Sequence, residues 1–193
     1  MSKPRVAVLI SGRGSNMMAL VEAARDPAYP AEIVSVLSNR SDAAGLSFAE
    51  ARGIATLVID HTDYPSRAAF EAALHDYLAA RHIDIVALAG FMRVLSAEFV
   101  AKWAGRIVNI HPSLLPAYKG LHTHDRALAH GVTRHGCTVH FVTAELDDGP
   151  ILKQAEVPVL PGDTPDTLAA RVLREEHRIY AQALAELARQ IER

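Results

Sequence analysis

Val6-Ala7-Val8-Leu9-Ile10-Ser11-Gly12-Arg13-Gly14-Ser15-Asn16 joins an unbroken apolar run to a glycine-containing turn and then to a helical stretch. Five consecutive apolar residues leave no polar face, so the run reads as a parallel strand covered on both sides. Four more strand-like runs follow, at residues 33–37, 55–59, 83–89 and 106–110, several of them apolar on both faces. Helical stretches fill the gaps at 16–25, 42–52, 66–81 and 96–103. The third is the clearest, with Phe70, Leu74, Tyr77 and Leu78 spaced for one buried stripe. Strands alternating with helices of this length imply right-handed crossovers. The expected class is therefore α/β, with a doubly wound, mostly parallel sheet.

After His111 the pattern changes. Pro112, Pro116 and Gly120 mark a loop, and a short helix is expected over 123–130. Strands at 135–142 and 151–157 then extend the sheet, joined by residues 143–150. Pro158, Pro161 and Gly162 make a turn, and Thr164 caps a last helix with Pro165 at its first position. That helix is expected to run to Arg193, with Leu168, Val172, Tyr180, Leu184, Leu187 and Ile191 on one face. With no repeat, low-complexity tract or linker, residues 1–193 read as one domain.

The charges nearly cancel, 20 Lys and Arg against 22 Asp and Glu. A net charge of −2 gives no electrostatic footprint for nucleic acid or an anionic membrane. The single cysteine rules out an internal disulfide and a multi-cysteine zinc module, and fits a reducing compartment. The first apolar run is too short for a signal sequence or a membrane span, so a cytoplasmic protein is expected. Ten histidines are the compositional oddity.

Several motifs carry chemistry. In Ser11-Gly12-Arg13-Gly14-Ser15-Asn16 two glycines let the backbone approach a ligand, and the following helix offers unpaired N–H groups to an anion. The dinucleotide fingerprint fails, because Met17 replaces its third glycine and Ser38-Asn39-Arg40 replaces the acid after the second strand. No Gly-Lys-Ser/Thr is present. Ser15 and Asn16 add polar donors, which favours a phosphate monoester. In Asn109-Ile110-His111-Pro112, residues two apart on a strand share a face, so Asn109 and His111 point together at a strand's carboxyl end. An amide beside an imidazolium can hold a developing oxyanion. Leu146-Asp147-Asp148-Gly149-Pro150 reads either as an Asp-Gly turn or as a carboxylate that orients the histidine. Gly90-Phe91-Met92-Arg93-Val94-Leu95 suits a ring system bearing a distal carboxylate, or simply plugs the sheet edge.

Glu176 lies on the apolar stripe of the last helix, where it either lines a pocket or pairs with Arg171 or Arg174. His122-Thr123-His124 lacks an obvious third metal ligand, so no metal is expected. His140 faces the sheet near Asp147, whereas His61, His75, His82, His130, His135 and His177 read as surface or element-end residues. Cys137 reads as a small buried hydrophobe.

Taken together, these stretches resemble the glycinamide ribonucleotide formyltransferase family, the folate-dependent phosphoribosylglycinamide formyltransferases of purine synthesis. The resemblance rests on residues 8–12 with Gly14-Ser15-Asn16, on Leu88-Ala89-Gly90-Phe91-Met92-Arg93, on residues 109–116, on Gly120-Leu121-His122-Thr123-His124, and on residues 136–150. It covers the chain from residue 6 to about Tyr180. It implies a Rossmann-like formyltransferase fold, with glycinamide ribonucleotide and 10-formyltetrahydrofolate as substrates and no metal. It further implies that Gly14, Ser15 and Asn16 hold the ribonucleotide phosphate and Glu176 the ribose hydroxyls. Met92, Arg93, Val94 and Leu95 would enclose the folate with Thr143, Ala144, Glu145 and Leu146. Arg67 and Asn109 would touch it too, and Asn109, His111 and Asp147 would form the catalytic trio. Ala144 departs from the family pattern, which favours an acid there.

Four alternatives remain at this level. A formyltetrahydrofolate hydrolase would use the same site with water as acceptor, and is expected to carry an extra N-terminal domain. A transfer-RNA formyltransferase should add a C-terminal domain and basic surface. Ser113, His111 and Asp147 could form a hydrolase triad, although no Gly-x-Ser-x-Gly elbow surrounds Ser113. The non-enzyme reading is a folate- or nucleotide-binding regulator. The expected state is monomer or homodimer.

Overall fold

Alternation of apolar residues along the first strand sets up two cores. In the computed structural model, which describes residues 2–191, β1 (Arg5–Ile10) sends Val6, Val8 and Ile10 to one face of the sheet and Ala7 and Leu9 to the other. On the first face lie α1 (Ser15–Ala24), α2 (Gly45–Glu50) and the long α6 (Pro165–Gln190). On the second lie α3 (Arg67–Ala80) and α4 (Ala97–Lys102), which contribute Phe70, Leu74, Leu78, Phe99 and Val100. Burial on both faces explains why the early strands read as continuous apolar runs.

The remaining strands are β2 (Glu32–Ser38), β3 (Ala55–Val58), β4 (Ile85–Leu88), β5 (Ile107–His111), β6 (Arg134–Phe141) and β7 (Ile151–Pro158). Their order across the sheet is β3-β2-β1-β4-β5-β6-β7. The first five run parallel; β6 pairs antiparallel with β5, and β7 with β6. The doubly wound, mostly parallel sheet extended after residue 134 is therefore as expected. Strand order reverses between β1 and β4, and open α/β sheets bind ligands at the carboxyl ends beside such a reversal. The turn after β1, the residues after β4 and the end of β5 all open there.

Local differences from the expected elements have local causes. The second helix begins at Gly45 and not near 42, because Asp42 is held in a turn by Arg40 at 2.8 and 2.9 Å and the Gly45 N–H turns back to the Gly12 carbonyl. A short 3-10 turn, His61–Asp63, follows β3, with the Asp60 side chain accepting from Thr62 N–H. Ser96 and Trp103 are the caps of α4, not part of it; Ser96 Oγ accepts from Phe99 N–H. Thr164 caps α6 as expected, in a reciprocal pair with Thr167. That helix ends at Gln190 with Ile191 as its cap, and the expected continuation to Arg193 lies outside the described residues. His135 is a plain correction: it is 1% exposed, because β6 buries it against His124, with ring centroids 5.1 Å apart. Burial and the neighbouring His124 lower its pKa to about 4.

Candidate active site

Asn109 and His111 leave β5 on one face, and the antiparallel pairing sets Asn109 opposite His140 of β6. The Asn109 Nδ2 lies 3.4 Å from His140 Nε2, and His140 Nδ1 lies 2.8 Å from the Phe141 carbonyl. A carbonyl can only accept, so His140 donates from Nδ1 and receives the Asn109 amide at Nε2. Burial lowers the pKa of His140, which fits this neutral ring. The fixed imidazole sets the direction of the Asn109 amide.

Asp147 arrives from the connection between β6 and β7. Its backbone is left-handed, φ 49°, a conformation that Asp tolerates better than most residues. One carboxylate oxygen, Oδ2, accepts from the Gly120 N–H at 2.9 Å and stands 3.4 Å from His111 Nδ1. The other, Oδ1, is 3.8 Å from His140 Nε2. The other nitrogen of His111 donates to the Tyr118 carbonyl at 2.9 Å. Both His111 nitrogens thus face acceptors, and both can donate only when the ring carries two protons. Asn109, His111 and Asp147 are brought together, with the His111 and Asp147 side chains 7% and 8% exposed.

At the other end of the site, Asn16 in the first turn of α1 donates from Nδ2 to Glu176 Oε2 at 2.7 Å. Arg171 instead grips Asp163 at 2.6 and 2.9 Å, so of the two readings of Glu176 the arginine pair fails for Arg171. Gly14 caps α1 at φ 71°, in the left-handed region that favours glycine. Burial raises the pKa of Glu176, and the Asn16 hydrogen bond offsets part of this. A carboxyl group that binds its proton more tightly folded than unfolded loses stability as pH rises through the window above 4.5, its ordinary value. Glu176→Gln removes that cost while keeping an oxygen for Asn16. Its expected melting temperature is higher than wild type near neutral pH. The gap should close toward pH 4; thermal melts at pH 4 and pH 8 check it, and a variant less stable at pH 8 would contradict it.

The other expected contacts are less convergent. Met92 and Val94 are 67% and 62% exposed and Leu146 is 57% exposed, whereas Leu95 is buried in the second core and leaves only its backbone free. Thr143 is half-buried, and Ala144, Glu145 and Arg67 are exposed. Four of the seven large apolar side chains exposed among the described residues, Met92, Val94, Leu121 and Leu146, lie in the segments that follow β4, β5 and β6. Among the described residues no group of three potential ligands stands together for a metal ion. Cys137 is fully buried, which pushes its thiol up to about 12.

Ser11 was not singled out by itself. Its hydroxyl donates to Asn39 Oδ1 and accepts from Met92 N–H at 2.8 Å, tying the glycine turn to the segment after β4. A serine ending a buried strand was the available signal. The Tyr118 carbonyl and Gly120 N–H, as backbone groups, had none.

A family model described as formyl transferase matches residues 4–184. The chain belongs to the formyl transferase family. Within this family it is 49% identical over 175 residues to a phosphoribosylglycinamide formyltransferase of Escherichia coli, covering 91% of this chain and 82% of that protein. It is 53% identical over 182 residues to the trifunctional purine biosynthetic protein adenosine-3 of Bos taurus, covering 94% of this chain. The chain spans only 18% of that relative's length, and 14–18% of the similar proteins from four other animals. A crystal structure of phosphoribosylglycinamide formyltransferase from Brucella melitensis superposes with a TM-score of 0.94 at 56% identity, covering 97% of this chain and 96% of that one.

Proposed function

We propose that the chain transfers the formyl group of 10-formyltetrahydrofolate to the amine of glycinamide ribonucleotide, giving formylglycinamide ribonucleotide and tetrahydrofolate in purine biosynthesis. The observation that carries this reading is the meeting of Asn109, His111 and Asp147 at the carboxyl end of β5. One sheet of seven strands supports reading residues 1–193 as a single formyltransferase domain. The same reading has it work in the cytoplasm as a monomer or homodimer, on small molecules and not on nucleic acid or membrane.

Gly14, Ser15 and Asn16 hold the phosphate at the start of α1, and Glu176 takes the ribose hydroxyls. Asn16 Oδ1 is buried without a hydrogen-bond partner among the described residues, which leaves an acceptor for such a hydroxyl. The exposed Met92, Val94 and Leu146 suit the flat ring system of the folate. The Arg93 guanidinium, with no hydrogen-bond or ion-pair partner among the described residues, suits its carboxylate tail.

The folate supplies the formyl group; the protein's task is to hold charge and move protons. Asn109 and His111 stabilise the oxyanion that forms when the amine adds to the formyl carbon. The Tyr118 carbonyl accepts from His111 Nε2 at 2.9 Å in this structure and holds the ring in place. Asp147 keeps His111 oriented and helps carry a proton from the amine to the departing nitrogen.

The hydrolase-triad alternative has a geometric objection. Ser113 is fully buried and its hydroxyl donates to the Ala117 carbonyl at 2.6 Å, which turns it to the loop and not to His111. Ser113→Ala is expected to retain formyl transfer to within about threefold, measured as steady-state kcat in folded protein; loss of turnover would restore the triad.

A further inference from the structure

Resting on the reading of the glycine turn as the phosphate site, we infer that Arg13 is the charge partner of the ribonucleotide phosphate and sets the preference for a phosphorylated substrate. A phosphate monoester carries about −1.5 to −2 charges near neutral pH. The start of α1 supplies roughly +0.5, and Gly14, Ser15 and Asn16 add none. Most of the charge therefore needs a cation. Arg13 sits between Gly12 and Gly14 in the turn itself, is exposed, and has no hydrogen-bond or ion-pair partner among the described residues.

The backbone that carries it is clamped. The Gly45 N–H donates to the Gly12 carbonyl at 3.1 Å, and a Cβ at position 45 would lie 2.6 Å from Ile10 Cδ1 and 3.0 Å from the Arg13 carbonyl oxygen. The guanidinium also acts on α6. His177, next to Glu176, has its pKa lowered by burial and then by the charge of Arg13. His177 Nε2 and Asn16 Oδ1 are both buried without hydrogen-bond partners among the described residues. The unpartnered Asn16 Oδ1, on the same amide that donates to Glu176, calls for a polar ligand. A guanidinium forms paired bonds to phosphate oxygens that an ammonium cannot match.

The test compares glycinamide ribonucleotide with the same compound lacking its phosphate, in wild type, Arg13→Ala, Arg13→Gln and Arg13→Lys. The expected result is a KM for the ribonucleotide raised about tenfold to hundredfold in Arg13→Ala and Arg13→Gln, the loss of one charge-assisted pair. Arg13→Lys recovers part of it. The kcat, the KM for formyl-folate and the KM for the dephosphorylated substrate stay within about twofold. If wild type prefers the phosphorylated substrate and Arg13→Ala prefers it equally, the role of Arg13 is overturned while the phosphate site stands. A KM rise of equal size for both substrates would likewise overturn it, since the phosphate would not be what Arg13 senses. Wild type that does not distinguish the two substrates would overturn the phosphate site itself, and Arg13 with it.

Discussion

Asp147→Asn is expected to lower kcat by about 10²–10⁴ with little change in either KM, the range for losing a group that moves or balances a proton. Asparagine isolates the charge cleanly. It tolerates the left-handed backbone that position 147 adopts. Its amide oxygen can still accept from Gly120 N–H, where Asp147 Oδ2 now sits at 2.9 Å, and can still face His111. The loop should therefore keep its place while the negative charge beside His111 disappears. The carboxylate is 8% exposed, so bulk ions screen its action on His111 poorly. Steady-state kinetics with each substrate varied, alongside a thermal melt, measure the effect. Near-wild-type kcat would remove Asp147 from the chemistry; a raised KM with unchanged kcat would reduce it to holding the loop.

Asn109→Ala should cost about 10²–10³ in kcat, the usual loss for one donor of an oxyanion site. The geometry makes the effect specific. The Asn109 amide is aimed by His140, whose own orientation is set by the Phe141 carbonyl at 2.8 Å. Removing the amide leaves the His140 Nε2 without that donor but disturbs no backbone pairing between β5 and β6. A kcat within about threefold of wild type, in a variant that melts normally, would mean the oxyanion is held elsewhere.

The fold was legible because its strongest signal is local. A strand covered on both faces must be apolar at every position, and Val6 through Ile10 are. Element ends were less legible, since they depend on contacts distant in sequence. Gly45 begins its helix where it does because its N–H bonds to Gly12. His135 looked like an element-end residue and is buried, because the partner that covers it, His124, comes from another element.

The site divides in the same way. Asn109 and His111 share a face by strand periodicity alone. Asp147, in a loop 36 residues beyond His111, reads by itself as an ordinary turn, and only the return of β6 beside β5 brings it within 3.4 Å. Glu176 was conspicuous as a carboxylate on an apolar stripe, but its partner is Asn16, 160 residues away. Tyr118 left no trace in the sequence because it acts through its backbone carbonyl.

The most direct test of the whole account mixes the purified protein with 10-formyltetrahydrofolate, with and without glycinamide ribonucleotide, and follows both products. The account predicts tetrahydrofolate only when the ribonucleotide is present, in one-to-one amount with formylglycinamide ribonucleotide. Tetrahydrofolate formed at the same rate without the ribonucleotide would make the protein a hydrolase. Tight binding of both compounds with no product would make it a regulator, and either result would contradict formyl transfer.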